Sequence, residues 1–333
     1  MSQRKIEPIA VVVPARGPAP WLRLSLSSIA AQTLQPLAVI VIDDGLENSR
    51  EIQNLGAKLF NDRFVLLQNE GRGISAALNT GIRNSSARWI ARMDADDIAR
   101  PERLERQIGF LSDSGKDILA CGTQVRFINA AGRGLERSHL PSSWELIQRQ
   151  LMSRTCFVHS TMVIRRDVLL TIPYRSAMDG AEDADLALRL AEKGKILNLD
   201  EVLLDYRVHV TQESFRLRPR HTAVQELAFR LALCRRSRSY DPLESDPELA
   251  ERFIRWRLAT PGYVRCRTFL TALRYMKTYM SGADLEGFAH SAAVGLRSFP
   301  LLPASITIAW KVCRKAGAAL LDGPTPFESL NVN

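Results

Sequence analysis

Apolar residues in the first hundred positions fall in short unbroken runs. Ile9–Val13 ends at Pro14, Val39–Ile42 ends at Asp43-Asp44-Gly45, and Phe64–Leu67 is a third run. Arg88–Met93 is a fourth, and it ends at Asp94-Ala95-Asp96-Asp97. Runs of this length, rich in β-branched residues, predict strands buried on both faces. Between them the period changes. Leu22, Leu26 and Ile29 stand at i, i+4 and i+7 within 21–33, and 73–83 (GISAALNTGIR) reads as a helix of small residues. Strands alternating with helices predict βαβ units, hence an α/β fold with a mostly parallel sheet.

Past residue 115 the pattern is less regular. Ile118–Cys121, Gln124–Ile128, Thr161–Ile164, Ile196–Leu199 and Val202–Tyr206 are predicted strands, and 144–151 a helix. A clearer helix covers 183–193, with Leu186 and Leu190 four apart and Gly194 as its stop. After about 212 the texture becomes arginine-rich and helical, through 220–238 and 248–280, around the polar loop Tyr240–Pro247. The segment 299–310 (FPLLPASITIAW) is apolar but holds two prolines and is too short to span a bilayer. The expected organisation is an α/β domain over 1–211 and a basic, mainly helical region over 212–333.

Composition narrows the classes. With 46% hydrophobic and 24% charged residues, a disordered or fibrous chain is excluded. Five cysteines without CxxC spacing argue against a disulfide framework or a zinc site, and for a reducing, cytoplasmic setting. The N-terminal apolar run is too short for a signal peptide. The net charge of +9 is uneven: residues 212–333 hold 18 Lys+Arg and 11 Asp+Glu, a net of +7. That excess invites anionic partners, a membrane surface or a phosphate-bearing acceptor, although a solvated helical face would show the same charge. Nucleic acid is not expected as a partner.

The candidate chemistry sits after the strands. In open α/β sheets the ligand crevice lies beyond the carboxyl ends of the strands. Asp43/Asp44 and Asp94/Asp96/Asp97, about fifty residues apart, are therefore expected at one crevice. Three carboxylates within four residues repel one another unless a cation compensates, and Mg²⁺ or Mn²⁺ takes such oxygen ligands together with phosphates. The competing reading is a helix start, since Pro101-Glu102-Arg103 follows. Asp43-Asp44-Gly45 also suits a tight strand exit, and Arg72 in NEGRGISAALNTG (69–81) is either a phosphate or base contact or a solvated loop arginine. Asp183 in the Glu182-Asp183 pair stands before a helix, which it is placed to cap. His159 reads as a packed core histidine.

The order of these stretches resembles family 2 of the glycosyltransferases, inverting enzymes of the GT-A fold. The resemblance runs over about 8–211 through VVVP, SSIAAQT (27–33), VIVIDDG (39–45), NEGRGISAALNTGI (69–82), WIARMDADDIARPERLERQ (89–107), HSTMVIRRDVL (159–169), GAEDADLALRLAEKG (180–194) and YRVH (206–209). It implies a Rossmann-like mixed sheet flanked by helices, with a nucleotide-sugar donor, a UDP-sugar first, and a glycan or lipid-linked acceptor of cell-surface polysaccharide assembly. It implies that Asp44, with Asp43 nearby, contacts the base. Asp94 and Asp96 become the DxD motif that binds ribose, diphosphate and metal, with His209 approaching that metal. Asp183 becomes the general base, with Glu182 as its alternate. The chain departs from the family at Pro14-Ala15-Arg16-Gly17, where a base-stacking tyrosine is usual; Arg16 offers a planar guanidinium instead. It departs again at Leu46, where the family often has serine.

Two other functions share some of these features. A silent nucleotide-sugar binder is disfavoured by the intact acidic pairs. A metal-dependent nucleotidyltransferase would show a glycine-rich phosphate loop after the first strand, where residues 14–20 hold one glycine among three prolines.

Overall fold

The computed structural model describes residues 8–209, 212, 218–260, 262–264, 268, 289 and 291–294. The chain divides into two compact units, Met1–Val208 and His209–Asn333.

The first unit is built on a nine-stranded sheet. Its opening half is β1 (Ile9–Gly17), α1 (Leu22–Ala30), β2 (Ala38–Leu46), α2 (Ser49–Phe60), β3 (Phe64–Gln68), α3 (Gly73–Arg83) and β4 (Trp89–Arg92). These four strands are mutually parallel in the order β3-β2-β1-β4. In β1, β2 and β4 the apolar runs follow from burial on both faces, whereas β3, at the edge of the sheet, buries Phe64 and leaves Val65 exposed. Val11, Val13, Val39 and Val41 pack with Leu22, Leu26 and Ile29 of α1 and Ile52 and Phe60 of α2. On the other face Val12 lies against Gly81 of α3, where a Cβ would come within 2.5 Å of the valine. Each buried valine or leucine contributes about 1.5–3 kcal/mol of transfer free energy.

The second half of this unit is mixed. It comprises β5 (Ile98–Ala99), α4 (Arg103–Asp113), β6 (Ile118–Ile128), β7 (Gly134–Arg137), α5 (Trp144–Gln150), β8 (Val163–Arg165), α6 (Arg166–Thr171), α7 (Glu182–Ala191) and β9 (Lys195–Arg207). Strand β8 runs antiparallel to β4 and to β6, β6 and β9 are parallel, and β5 and β7 add antiparallel to β9 and β6. The sheet is thus wholly parallel across its first four strands, carries a second parallel pair in β6 and β9, and is mixed as a whole.

Two pairs of predicted strands fuse. Ile118–Cys121 and Gln124–Ile128 become the single β6, because Gly122 and Thr123 are buried inside it and a Cβ on Gly122 would strike Asn198 Oδ1 at 2.3 Å. Ile196–Leu199 and Val202–Tyr206 become β9; Thr123 pairs with Leu199 and Gln124 with Val202, so Asp200-Glu201 form a bulge within the strand.

In the second unit, α8 (Arg218–Arg238) buries Ala223, Val224, Leu227, Ala228, Leu231 and Ala232. A short α9 (Pro242–Ser245) is capped by Asp241, which accepts from Leu243 N–H at 3.0 Å. Helix α10 (Leu249–Ala259) is joined to α8 by Arg257, whose Nε and Nη2 donate to Glu226 at 2.8 and 2.9 Å. The helical character of 220–238 and of the start of 248–280 is therefore present. The apolar segment 299–310 lies outside the described residues. No helix among the described residues is long and apolar enough to cross a membrane.

Candidate active site

The parallel strands β3, β2, β1 and β4 all end at one edge, and each ends in polar residues. At the end of β2, Asp43 is 4% exposed and fully used by the protein. Its Oδ1 accepts from Gly45 N–H at 2.9 Å and Leu46 N–H at 2.6 Å, and its Oδ2 from Ser49 Oγ at 2.5 Å and Gln68 Nε2 at 2.9 Å. Burial alone would raise this carboxyl, but Ser49, Leu46, Gln68 and Gly45 outweigh it and hold it below the ordinary range. Gly45 makes the turn possible at φ +98°, a conformation few side chains tolerate. Asp44 points elsewhere: its Oδ1 accepts from Asn69 Nδ2 at 2.6 Å, at the end of β3.

At the end of β4 the carboxylates crowd together. Asp94, Asp96 and Asp97 each bring one oxygen within 4.8 Å of the others. The loop holding them is pinned from behind. Asp94 N–H donates to Ser160 Oγ at 2.9 Å, and Ser25 Oγ donates to Asp94 O at 3.1 Å. Arg207 donates its N–H to Asp97 Oδ1 at 2.8 Å and its Nε to Asp96 O at 2.9 Å, while its Nη1 holds Asn129 O and Ala130 O. Burial, then the charge of Asp96 and that of Asp94, push the Asp97 carboxyl well above the ordinary range. Asp94 is also raised by burial, although it is ion-paired with the buried Arg92. An all-oxygen, anionic donor set of this kind fits a hard divalent cation such as Mg²⁺ or Mn²⁺. The helix-start reading does not hold for this loop: β5 follows it directly, and Glu102 occupies the cap position of α4.

Glu182 and Asp183 open α7, and Asp183 does not cap it; Ala181 takes that position and no side chain caps the helix. Glu182 Oε2 accepts from Gly180 N–H at 2.9 Å. Burial raises both carboxyls, with the Glu182 charge adding to the rise at Asp183. A base with a raised pKa is better matched to a hydroxyl near neutral pH. Around the pair, His159 Nε2 meets Tyr174 OH at 2.7 Å, and its Nδ1 lies 3.7 Å from Glu182 Oε1. Burial and then the neighbouring Arg92 bring His159 down to about 3, so the ring is neutral. Helix α7 is locked by Asp185, which is wholly buried and takes Arg175 Nε and Arg189 Nε at 3.0 Å each.

Pro14 and the exposed Arg16 lie at the end of β1, in register with the end of β2. Arg72 is exposed and precedes α3. The loops of Asp44 and of Asp94–Asp97 leave the same sheet edge, with β1 between their strands. The field at His159 includes both Asp183 and Asp94, and that at Asp179 both Glu182 and Asp44, so the acidic groups share one region. His209 begins the second unit, and the acidic cluster of the first unit is Asp94, Asp96 and Asp97. Asp97 stands where the sequence expected it, as the third aspartate of the cluster at the crevice. Arg92, Ser160 and Arg207 were not among the sequence candidates, although each lies within a stretch that carries the resemblance.

A family model described as Glycosyl transferase family 2 matches residues 10–172. The chain is 29% identical over 215 residues to the O-antigen biosynthesis glycosyltransferase WbnJ of Escherichia coli, covering 63% of this chain and 83% of that one. It is 30% identical over 220 residues to the putative glycosyltransferase EpsE of Bacillus subtilis, covering 64% and 76%. Among solved structures it resembles the mannosyltransferase PcManGT from Pyrobaculum calidifontis in complex with GDP-Man and Mn²⁺. There the TM-score is 0.52 at 17% identity, over 98% of this chain and 84% of that one, a likeness of fold.

Proposed function

This chain belongs to glycosyl transferase family 2, and on that premise we propose that it moves a sugar from a nucleoside-diphosphate sugar to a hydroxyl of a glycan or lipid-linked acceptor, with inversion at the anomeric carbon. A UDP-sugar is the first donor to test. The observation that carries this reading is that the loops of Asp44 and Asp94–Asp97 leave one edge of the sheet, and that His159, 3.7 Å from Glu182, adjoins Ser160, which holds Asp94 N–H at 2.9 Å.

Each group has a distinct task. Asp44, anchored through Asn69, accepts from the base or ribose, with Pro14, Arg16 and Arg72 at the rim of the same cleft. Asp43 keeps Asp44 in place by holding the strand exit rigid. Asp94, Asp96 and Asp97 would hold Mg²⁺ or Mn²⁺, which as a Lewis acid offsets the charge on a departing diphosphate. Asp183 takes the proton of the acceptor hydroxyl as that oxygen bonds to the anomeric carbon, on the face opposite the breaking bond to diphosphate. Glu182, tied to Gly180 N–H, keeps Asp183 oriented and adds to its basicity through like charge.

The names of the relatives, O-antigen biosynthesis among them, support an acceptor in cell-surface polysaccharide assembly. The basic 212–333 region is proposed to bring the enzyme to the anionic inner face of the cell membrane, where such acceptors reside. Flotation with anionic liposomes tests that part, and absence of binding at low salt sinks it. The catalytic part is tested by a thermal-shift screen of UDP- and GDP-sugars with Mn²⁺, followed by transfer assays and assignment of the product anomer by NMR. Binding of a donor without transfer or hydrolysis of any of them would leave a silent binder instead.

A further inference from the structure

Helix α3 and the segment 174–179 are sewn together along a seam to which the reaction above gives no task. Asn79 Nδ2 donates to Tyr174 O at 2.8 Å, and Asn79 Oδ1 accepts from Tyr174 N–H at 3.0 Å. Ser75 Oγ donates to Arg175 O at 3.2 Å, and Ser75 N–H donates to Asp179 Oδ1 at 3.2 Å. The second oxygen of Asp179 occupies space left by a missing side chain: a Cβ on Gly73 would lie 2.1 Å from Asp179 Oδ2. Gly73 also has φ +83°, so both the backbone and the close approach call for glycine here.

The seam joins the two halves of the site. On the donor side, Asn69 Nδ2 donates to Gly73 O at 3.2 Å as well as to Asp44. On the acceptor side, Asp179 is followed at once by Gly180, whose N–H holds Glu182. We propose that Asp179 is a positioning residue for sugar transfer: seated on the first turn of α3, it fixes the short segment that presents Glu182 and Asp183 and ties it to the donor loop of Asn69 and Arg72.

The chemistry of the position favours this over plain loop anchoring. Burial, then the charges of Glu182 and Asp44, raise the Asp179 carboxyl, while Ser75 opposes the rise. A neutral acceptor would satisfy Ser75 N–H without adding charge to an acidic region. The N-terminus of α3 favours a carboxylate, which makes the anchor stronger than an amide would.

This inference rests on the proposed transferase reaction, and its test separates the two. Asp179→Ala and Asp179→Asn are compared with wild type in the full chain, by transfer kinetics, by UDP–Mn²⁺ titration calorimetry and by amide hydrogen exchange. Asp179→Ala should lower kcat about 10–100-fold, the range expected when a reacting group shifts by about 1 Å. It should leave the Kd for UDP within about two-fold and speed exchange at Ser75 and across 179–184. Asp179→Asn retains an oxygen for Ser75 N–H and should recover most of kcat. The proposal is overturned if Asp179→Ala keeps kcat within two-fold, if Asn and Ala lose equally, or if UDP binding weakens in step with kcat. If wild type transfers no sugar, the transferase reading fails; unchanged exchange at Ser75 and 179–184 then overturns the anchor as well.

Discussion

The ends of β2 and β4 lie at the same edge, both carry consecutive aspartates, and the protein treats them in opposite ways. Asp43 is surrounded by four donors from its own turn and from β3, and its carboxyl is held below the ordinary range. At the end of β4, Asp97 has the Arg207 backbone donor, yet burial, and then the charges of Asp96 and Asp94, raise its carboxyl. A satisfied carboxylate is a structural element. Carboxylates crowded against one another store repulsion that a cation relieves, and perturbed carboxyls of this kind concentrate at functional sites. The same residue type at equivalent places in two βα units therefore divides into scaffold and chemistry according to the donors each loop supplies.

The sharpest test is to remove one carboxylate from each end. Asp96→Ala should lower transfer on the order of 10³-fold, comparable to losing one electrostatic stabiliser of a transition state. It should leave the thermal midpoint unchanged or higher, because a like charge is gone. Asp43→Ala should do the reverse, lowering stability by about 2–4 kcal/mol as four donors lose their acceptor. Urea unfolding and initial-rate kinetics on both variants check this. A large stability loss in Asp96→Ala would mean that the β4 loop is scaffold too.

A smaller effect probes the cation directly. Mn²⁺ at about a hundred times its Kd should stabilise wild type by about 2.7 kcal/mol, provided it does not bind the unfolded chain. Asp96→Ala should lose that gain, whereas Asp44→Ala should keep it. Asp44→Ala should instead weaken UDP binding about ten-fold, near 1.4 kcal/mol, as expected for one lost polar contact to the ligand. Differential scanning calorimetry with and without Mn²⁺, and UDP titrations, separate the two aspartates. Equal loss of the Mn²⁺ response in both variants would erase the division of labour.

Much of this was legible in the chain, for identifiable reasons. Strands β1, β2 and β4 announced themselves because burial on both faces demands apolar runs; β3 was legible from its short run too, although as an edge strand it buries only Phe64, and the acidic clusters stood out because they terminate the runs of β2 and β4. Helix α2 was harder: Ile52, Leu55, Leu59 and Phe60 keep the helical period, but polar residues dilute it and no side chain caps its start. Strands β6 and β9 read as broken because a buried glycine and an acidic bulge look like loops in a one-dimensional pattern. Within the site, Asp44, Asp94, Asp96 and Asp183 could be named from motif position. Ser160, Arg207 and Asp179 could not, since their partners come from distant segments, and neither could Arg92, whose partner Asp94 is two residues away but whose burial is set by the fold.

The finest test of the contrast uses pH at the end of β2. The Asp43 carboxyl is lowered in the folded chain, so the folded state binds its proton less readily than the unfolded state does. Its contribution is therefore complete above the unfolded carboxylate value, near 3.9, and is lost as pH falls through the lower folded value. Asp43→Asn keeps one acceptor oxygen but no charge, much like the protonated acid. The stability gap between wild type and Asp43→Asn should be widest above about pH 5 and should close on acidification, as wild type gives up its charge-assisted bonds. Urea midpoints taken at intervals from about pH 6 down to about pH 3 would trace the convergence. A gap that stayed constant with pH would mean that packing, not the charge of Asp43, holds the turn from which Asp44 is presented.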